Sequence, residues 1–104
     1  MNTAKHCNNI AEVRAHIDRL DKELVALLAA RGGLVKQAAR FKKTDDDVKS
    51  PQRVEQVISR VKALSLELGA NPGVTEQVYR TMIGAFIELE RHEHAVISAR
   101  GEGQ

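Results

Sequence analysis

Residues 10–41 read IAEVRAHIDRLDKELVALLAARGGLVKQAARF, and their pattern dominates any structural interpretation of the chain. Apolar residues recur here in alternating steps of three and four, the spacing of a helix face that packs against another helix. This apolar seam consists of Ile10, Val13, Ile17, Leu20, Leu24, Leu27, Leu34, Ala38 and Phe41. One position within the seam is occupied by Arg31. Because a charge in an apolar seam is costly without a counter-ion, Arg31 predicts either an acidic group from elsewhere or an anionic ligand.

Composition limits the class of protein. The chain has 104 residues, of which 42% are hydrophobic and 29% charged, as in ordinary globular proteins. We expect one small domain over residues 1–104, with a core at about 8–95 and a frayed tail at 98–104. The single cysteine, Cys7, cannot form an intrachain disulfide, which fits a reducing compartment. Since the N-terminus shows no secretion signal, we expect a cytoplasmic protein.

The same composition argues against nucleic-acid and membrane partners. A net charge of +2 is too small and too scattered for an electrostatic DNA footprint. Aromatic residues make up only 3% of the chain, which is too few for base stacking. No stretch approaches the ~18 consecutive apolar residues that span a bilayer. We therefore expect neither kind of partner.

The seam predicts one long first helix. Asn8 or Asn9 can cap its start, and no proline interrupts it before Phe41 or Lys42. The polar residues 42–50 that follow predict a loop.

Two shorter helices are indicated by cap signals further along the chain. Ser50-Pro51 supplies a cap and a first helical position, and Gly69 suits the left-handed position after a helix end. Asn71-Pro72 repeats the start signal for a third helix. No segment alternates with period two for long enough to indicate a strand. The predicted fold is all-α, with one long and two shorter helices.

The length of the first helix predicts a dimer. About 32 helical residues form a rod of roughly 48 Å, whereas a compact domain of this size has a radius of gyration near ~13 Å. Two shorter helices cannot cover the whole seam of such a rod, but a second copy of the chain can do so through a two-fold interface. We therefore expect an intertwined homodimer. The alternative is that Gly32-Gly33 breaks the rod into an ordinary hairpin.

Basic residues spaced along the first helix suggest an anion site. Arg31 and Lys42 are three helical turns apart, so both side chains leave the same side, about 16 Å apart, and can converge on a small dianion. Arg14 lies roughly 42 Å from Lys42 along the rod and can join them only from an antiparallel partner. Most helical Arg and Lys residues are simply solvated surface groups. Arg31 departs from that expectation because of its seam position.

Two further charged residues are candidates on the other helices. Glu90 shares a face of the third helix with Ile83, Phe86 and Ile87, although it could equally be a surface carboxylate. Arg53 lies in the first turn of the second helix, where a cation is unfavourable unless an anion is bound.

Residues 11–42, AEVRAHIDRLDKELVALLAARGGLVKQAARFK, resemble the first helix of the all-α chorismate mutases. The similarity continues through SPQRVEQVISRVKALSLELG at 50–69 and IELE at 87–90, and it covers roughly residues 8–95. The chain also resembles the isochorismate pyruvate lyase branch of that family, chiefly in the loop and in SPQRV.

The resemblance implies an intertwined dimer with two active sites and no cofactor or metal. In it, Arg31 would pair with one substrate carboxylate, and Arg14 of the other subunit with the second. Lys42 would donate to the ether oxygen of the breaking C–O bond, and Arg53 would border the loop over the substrate. Glu90 stands where many bacterial members have Gln and where fungal mutases have Glu. We therefore expect Arg31, Lys42 and Glu90 to be catalytic. The expected substrate-binding residues are Arg14, Arg31, Lys42, Arg53, Ile83, Ile87 and Glu90.

Two departures from the family pattern separate the mutase and lyase interpretations. Mutases often place acidic groups near the start of the second helix to hold the ring hydroxyl of chorismate, and here those positions are Ser50 and Val54. This favours the lyase, whereas Glu90 favours the mutase. We expect a chorismate mutase, with the lyase as the alternative. A non-catalytic dimer, in which a partner acid such as Asp18 or Asp21 neutralises Arg31, is the more distant alternative.

The chemistry fits a chain without a nucleophile–base pair or a metal site. Positioning of a flexible side chain and fixed positive charge at the ether oxygen are what a pericyclic rearrangement needs. His92 and His94 point to different sides of a helix, and the acidic run 45–47 is more simply a solvated loop. Only a protonated Glu90 can donate to the ether oxygen, so activity is expected to rise toward acidic pH.

Overall fold

The first helix, α1, is a single rod from Ile10–Ala39. The computed structural model describes residues 6–102, without the side chains of Asp45, Glu93, His94 and 97–102. The Asn9 side chain accepts a hydrogen bond from the backbone N–H of Glu12 at 2.9 Å and so caps α1. Gly32-Gly33 does not break the rod, so the hairpin alternative is wrong. The helix ends before the predicted Phe41 or Lys42, and Lys42 follows it in a turn.

The predicted loop at 42–50 contains a short helix, α2, over Asp45–Lys49. Thr44 and Asp47 form a reciprocal capping box. The Thr44 hydroxyl accepts from the Asp47 N–H, and the Asp47 carboxylate accepts from the N–H groups of Thr44 and Lys43, all at 3.1 Å. Val48 is buried beneath the turn. The loop expectation is therefore wrong for these residues, because a local cap and one buried side chain are enough to fold a single turn.

The third and fourth helices are α3, Pro51–Leu68, and α4, Pro72–Glu102. Gly69 closes α3 in the left-handed conformation at φ 78°, as predicted. The Asn71 carboxamide oxygen accepts the N–H groups of Gly73 and Val74 at the start of α4. The expectation of two shorter helices is wrong for α4, which is as long as α1. It is helical through the expected frayed tail as far as Glu102, and the last two residues lie outside the described range.

Ser50 joins α2 to α3 in a left-handed conformation, φ 37°, which is strained for a residue with a Cβ. Its hydroxyl donates to the Asp47 carbonyl instead of capping α3. Within the described residues the fold is thus all-α, as predicted, with three main helices and the short α2.

The core lies between α3 and α4. Its buried members are Val57, Ile58, Val61 and Ile83. On the same pair of helices, Arg80 of α4 binds Glu55 of α3 and Glu76 of its own helix at 2.8 Å. By contrast, α1 buries one residue, Ala39, and packs mainly on α4. The molecule is elongated, 62 × 25 × 18 Å, with a radius of gyration of 17.7 Å.

No helix among residues 6–102 has an apolar stretch long enough to cross a membrane.

Candidate active site

A cavity of about 280 Å³ opens where the end of α1, α2, the start of α3 and the middle of α4 meet. Its size is close to the lower limit of typical small-molecule sites. The apolar wall comes mainly from Val54 and Val57 of α3 and from Ile83 and Ile87 of α4. Each apolar residue reaches the wall because helical spacing repeats one face every three or four residues.

The cavity is strongly cationic. Its lining includes four basic side chains and one acidic side chain: Arg31, Lys42, Lys49, Arg53 and Glu90. Such an excess of positive charge in a concave, partly apolar site favours a small anion that brings more than one negative charge. Five of the seven predicted substrate-binding residues are charged, and four of these five line this one cavity.

Lys42 and Glu90 meet inside the cavity. Lys42 Nζ lies 3.2 Å from Glu90 Oε2, and it also donates to the Asp47 carbonyl at 3.3 Å. Glu90 is only 6% exposed. The separation from Lys42 is that of an ion pair, yet Oε2 accepts no hydrogen bond from any described residue. A buried carboxylate oxygen without a hydrogen bond can accept one from a donor group of a ligand that enters the cavity.

Arg31 is half-buried, and its guanidinium lies over the ring of Phe86, 5.5 Å from the centroid. It makes no ion pair with a described residue. The charge that interrupts the seam is therefore neither immersed in water nor neutralised by an acid in the described part of the chain. A cation held in this way is available to a bound carboxylate.

Arg14 is the predicted site residue that the fold leaves outside. It is exposed on the first half of α1 and does not line the cavity. Arg14 and Arg31 are 17 residues apart on one straight helix, which is roughly 26 Å. A single chain cannot bring the two together.

The sequence analysis missed the contribution of α2. Val48 and Lys49 line the cavity, and the capping box presents them there. The spacing of Thr44 and Asp47 was the available signal, since a hydroxyl three residues before an acid indicates a helix start. Hydrogen bonds from the backbone N–H of Lys43 and then of Thr44 hold the pKa of Asp47 below its ordinary value. Asp47 thus has a structural role, which is to cap the start of α2.

The other polar candidates from the sequence are His92, His94 and the acidic run 45–47. Among residues 6–102 whose side chains are described, no three His, Cys, Asp or Glu side chains converge. The side chains of His94 and Asp45 lie outside the described part of the chain.

Comparison with known proteins identifies relatives of the whole helical region. The model of the family described as chorismate mutase type II matches residues 13–91. An isochorismate pyruvate lyase of Pseudomonas aeruginosa is 30% identical over 87 residues, which cover 84% of this chain and 86% of that protein. A chorismate mutase of Methanocaldococcus jannaschii is 25% identical over 75 residues, covering 71% and 76%. A bifunctional chorismate mutase/prephenate dehydratase of Aquifex aeolicus is 31% identical over 88 residues, covering 79% of this chain and 24% of the longer protein.

Proposed function

We propose that this chain, which belongs to the chorismate mutase type II family, rearranges chorismate to prephenate in the cavity between α1 and α4. The observation that carries the proposal is the half-buried Arg31, which lines a cationic cavity and makes no ion pair with any residue that the structure describes. The reaction is unimolecular: one C–O bond breaks and one C–C bond forms within the same molecule. No nucleophile or cofactor takes part, so the protein contributes geometry and charge.

Arg31 is suited to binding one carboxylate of the substrate. Its planar guanidinium matches two carboxylate oxygens, and its half-buried position strengthens the interaction compared with a surface pair. The apolar wall that contains Ile83 and Ile87 would pack against the substrate ring. Holding the enolpyruvyl group over the ring in this way removes the entropy of its free rotation before the reaction starts.

Lys42 is suited to stabilising the ether oxygen as negative charge develops there. Its Nζ is held in the cavity between Glu90 and the Asp47 carbonyl, so the ammonium group needs little reorganisation during the reaction. Glu90 can share this role only when protonated, because an ionised carboxylate would repel the developing charge. That activity rises as the pH falls remains a prediction.

A second copy of the chain completes the proposed site. The protomer exposes 8108 Å², whereas a folded monomer of 11.5 kDa exposes only about 5800 Å². The seam of α1 contributes to this exposed surface, since Leu20, Leu24 and Leu27 are each more than half exposed. An antiparallel partner that covers this seam would bring its own Arg14 toward the cavity for the second carboxylate. A cytoplasmic location also remains a prediction.

The lyase is the second candidate. In this reaction isochorismate transfers a ring hydrogen to the enolpyruvyl carbon as the C–O bond breaks, which yields salicylate and pyruvate. The observation in its favour is the absence of a carboxylate at Ser50 and Val54 on the cavity wall, together with the similarity to the P. aeruginosa lyase. The same cations would serve either acid.

The purified protein should be incubated with chorismate and with isochorismate in separate assays, in which prephenate, salicylate and pyruvate are measured. We expect prephenate from chorismate. Arg31→Ala should lower kcat/KM by roughly 100-fold or more, as for loss of a main charged contact. Arg60→Ala is the matched control, since Arg60 is exposed on α3 and away from the cavity. Salicylate formation without prephenate would replace the mutase by the lyase, and turnover of neither acid would reject both.

A further inference from the structure

The contact between Arg31 and Phe86 is more specific than general packing. Phe86 lies on the cavity wall of α4, one turn before Glu90, and its ring lies beneath the Arg31 guanidinium. The two residues are therefore neighbours across the α1–α4 interface. A cation over an aromatic face is attracted by the ring quadrupole, and this attraction leaves the outer edge of the guanidinium open to another partner.

Gly32 provides the space for this ring. A Cβ at Gly32 would lie 3.1 Å from Cε1 and 3.7 Å from Cζ of Phe86, so the ring would have to shift by a few tenths of an ångström. A Cβ at Gly33 would meet nothing within 4 Å. Glycine inside a helix costs about 1 kcal/mol relative to alanine. The close approach of Phe86 gives that cost a reason at Gly32, whereas the protomer shows no comparable reason at Gly33.

We propose that Phe86 is a positioning residue whose ring holds the Arg31 guanidinium toward the cavity, and that Gly32 is required so that the ring can approach. The inference rests on the proposed function, because Arg31 is assigned there to a substrate carboxylate. Phe86 need not touch a reacting atom. Its role is to restrict the long, flexible Arg31 side chain, which makes no ion pair among the side chains described, so that less rotational freedom is lost when the carboxylate binds.

This role differs from simple filling of the cavity wall. Leucine at position 86 would retain an apolar side chain but remove the ring, whereas tyrosine would retain the ring. We therefore expect Phe86→Leu to raise KM by about 3- to 30-fold, the range of a partly desolvated cation–π contact, while kcat changes less. Phe86→Tyr should restore most of the affinity. In an Arg31→Ala background, Phe86→Leu should have no further effect on KM.

Gly32→Ala tests the second half of the proposal. This substitution should raise KM, as Phe86→Leu does, although alanine favours a helix more than glycine does. Gly33→Ala and Gly84→Ala are the matched controls, since each adds the same methyl group to a helix position with nothing within 4 Å. Both should leave KM unchanged.

A measurement on the protein without substrate separates this inference from the proposed function. The ring current of Phe86 should shift the NMR signals of the Arg31 side chain, and Phe86→Leu and Gly32→Ala should abolish or reduce that shift while Phe86→Tyr keeps it. If the shift is present but neither acid is turned over, the positioning contact stands and the assigned reaction fails. If Phe86→Leu matches the wild type in both KM and the Arg31 shift, the positioning role is overturned. Equal KM values for Phe86→Leu and Phe86→Tyr, both raised, would likewise overturn it in favour of packing alone.

Discussion

The α3–α4 pair and the first two-thirds of α1 are both amphipathic, yet they end in opposite states. The pair buries the centre of its apolar face, at Val57, Ile58, Val61 and Ile83, and adds ion pairs from Arg80 to Glu55 and Glu76. The seam of α1 remains exposed, with Leu24 at 57% and Leu27 at 66%. Apolar periodicity is thus sufficient to make a helix in both regions, but it does not decide which surface covers the helix.

The difference has a functional consequence. Where α1 does pack, at its C-terminal end, it carries Arg31 and leads into Lys42, and the cavity forms there. Where it does not pack, it carries Arg14. The unpacked part of the helix therefore contains both an exposed apolar surface and the cation that a second copy would bring to the cavity in the proposed dimer.

The largest effect is expected from a charge placed in the exposed seam. Leu24→Glu should prevent the second copy from binding and reduce activity by more than about 100-fold, because a carboxylate buried in an apolar interface is strongly unfavourable. Sedimentation measures the assembly state, and a steady-state assay measures the activity. Leu66→Glu on α3, where Leu66 is 74% exposed, is the control. A Leu24→Glu protein that remains an active dimer would contradict the comparison.

Mixing two inactive variants tests whether the exposed part of α1 in one subunit completes the cavity of the other. Arg14→Ala and Arg31→Ala proteins should each be nearly inactive as homodimers. After unfolding and refolding together, about half of the dimers are mixed and each mixed dimer has one intact site, so about one quarter of wild-type activity should return. No recovery on mixing would show that Arg14 and Arg31 do not meet across subunits.

Truncating the internal core tests the other side of the comparison. Ile58→Ala should lower the free energy of unfolding by about 2–5 kcal/mol, since it opens a cavity between α3 and α4. Urea denaturation at constant protein concentration measures this change. Because Ile58 does not line the active cavity, kcat per folded molecule should be unaffected. A large change in kcat would mean that the α3–α4 core affects the active cavity directly.

Glu90 joins the α3–α4 pair to the packed end of α1, because it lies on α4 and contacts Lys42, which follows α1. Glu90→Gln supplies an amide donor at every pH, so its activity optimum should move upward, while the wild type should gain activity toward acidic pH. A pH profile of kcat/KM measures both. At neutral pH we expect Glu90→Gln to raise kcat/KM by about 10-fold, which is smaller than the change that loss of an oxyanion donor causes. Flat and coincident profiles would remove this role from Glu90.

The smallest effect concerns the ion pairs of the α3–α4 pair. The hydrogen bond from Arg80 holds the pKa of Glu55 below its ordinary value, so its contribution to stability is present above that value, near ~4.3, and disappears as the pH falls through the lowered pKa. Glu55→Gln should therefore lower the melting temperature slightly at pH 7 and match the wild type near pH 2. Gln52→Ala, on the same helix, is the control. A difference that persists at pH 2 would assign the loss to packing.

Local signals predicted the helices well and the connection between them poorly. Asn9, Pro51, Gly69 and Asn71 mark helix ends through hydrogen bonds and backbone angles that involve only near neighbours. The short α2 was missed because its capping signal lies in a segment whose polar composition is typical of a loop. The extension of α4 was missed because its apolar pattern weakens beyond the charged residues near Glu90.

For the site, the position of Arg31 in the seam was sufficient to single it out, and the resemblance supplied roles for Lys42, Glu90 and Arg53. Lys49 and the positioning contact of Phe86 with Arg31 were not predicted. Their placement depends on how two helices cross, and no short-range rule specifies that crossing.

The order of amino acids alone was enough to establish the helical class, the long first helix and the anomalous cation, because each follows from periodicity and from contacts within a few residues. Only the tertiary structure brought Lys42 to Glu90 and Phe86 to Arg31 and Gly32. These partners are about fifty residues apart along the chain, and the packing of α4 against α1 is what makes them neighbours. Periodicity specifies which face of a helix is apolar, but the surface that meets this face is chosen by the packing of the whole chain.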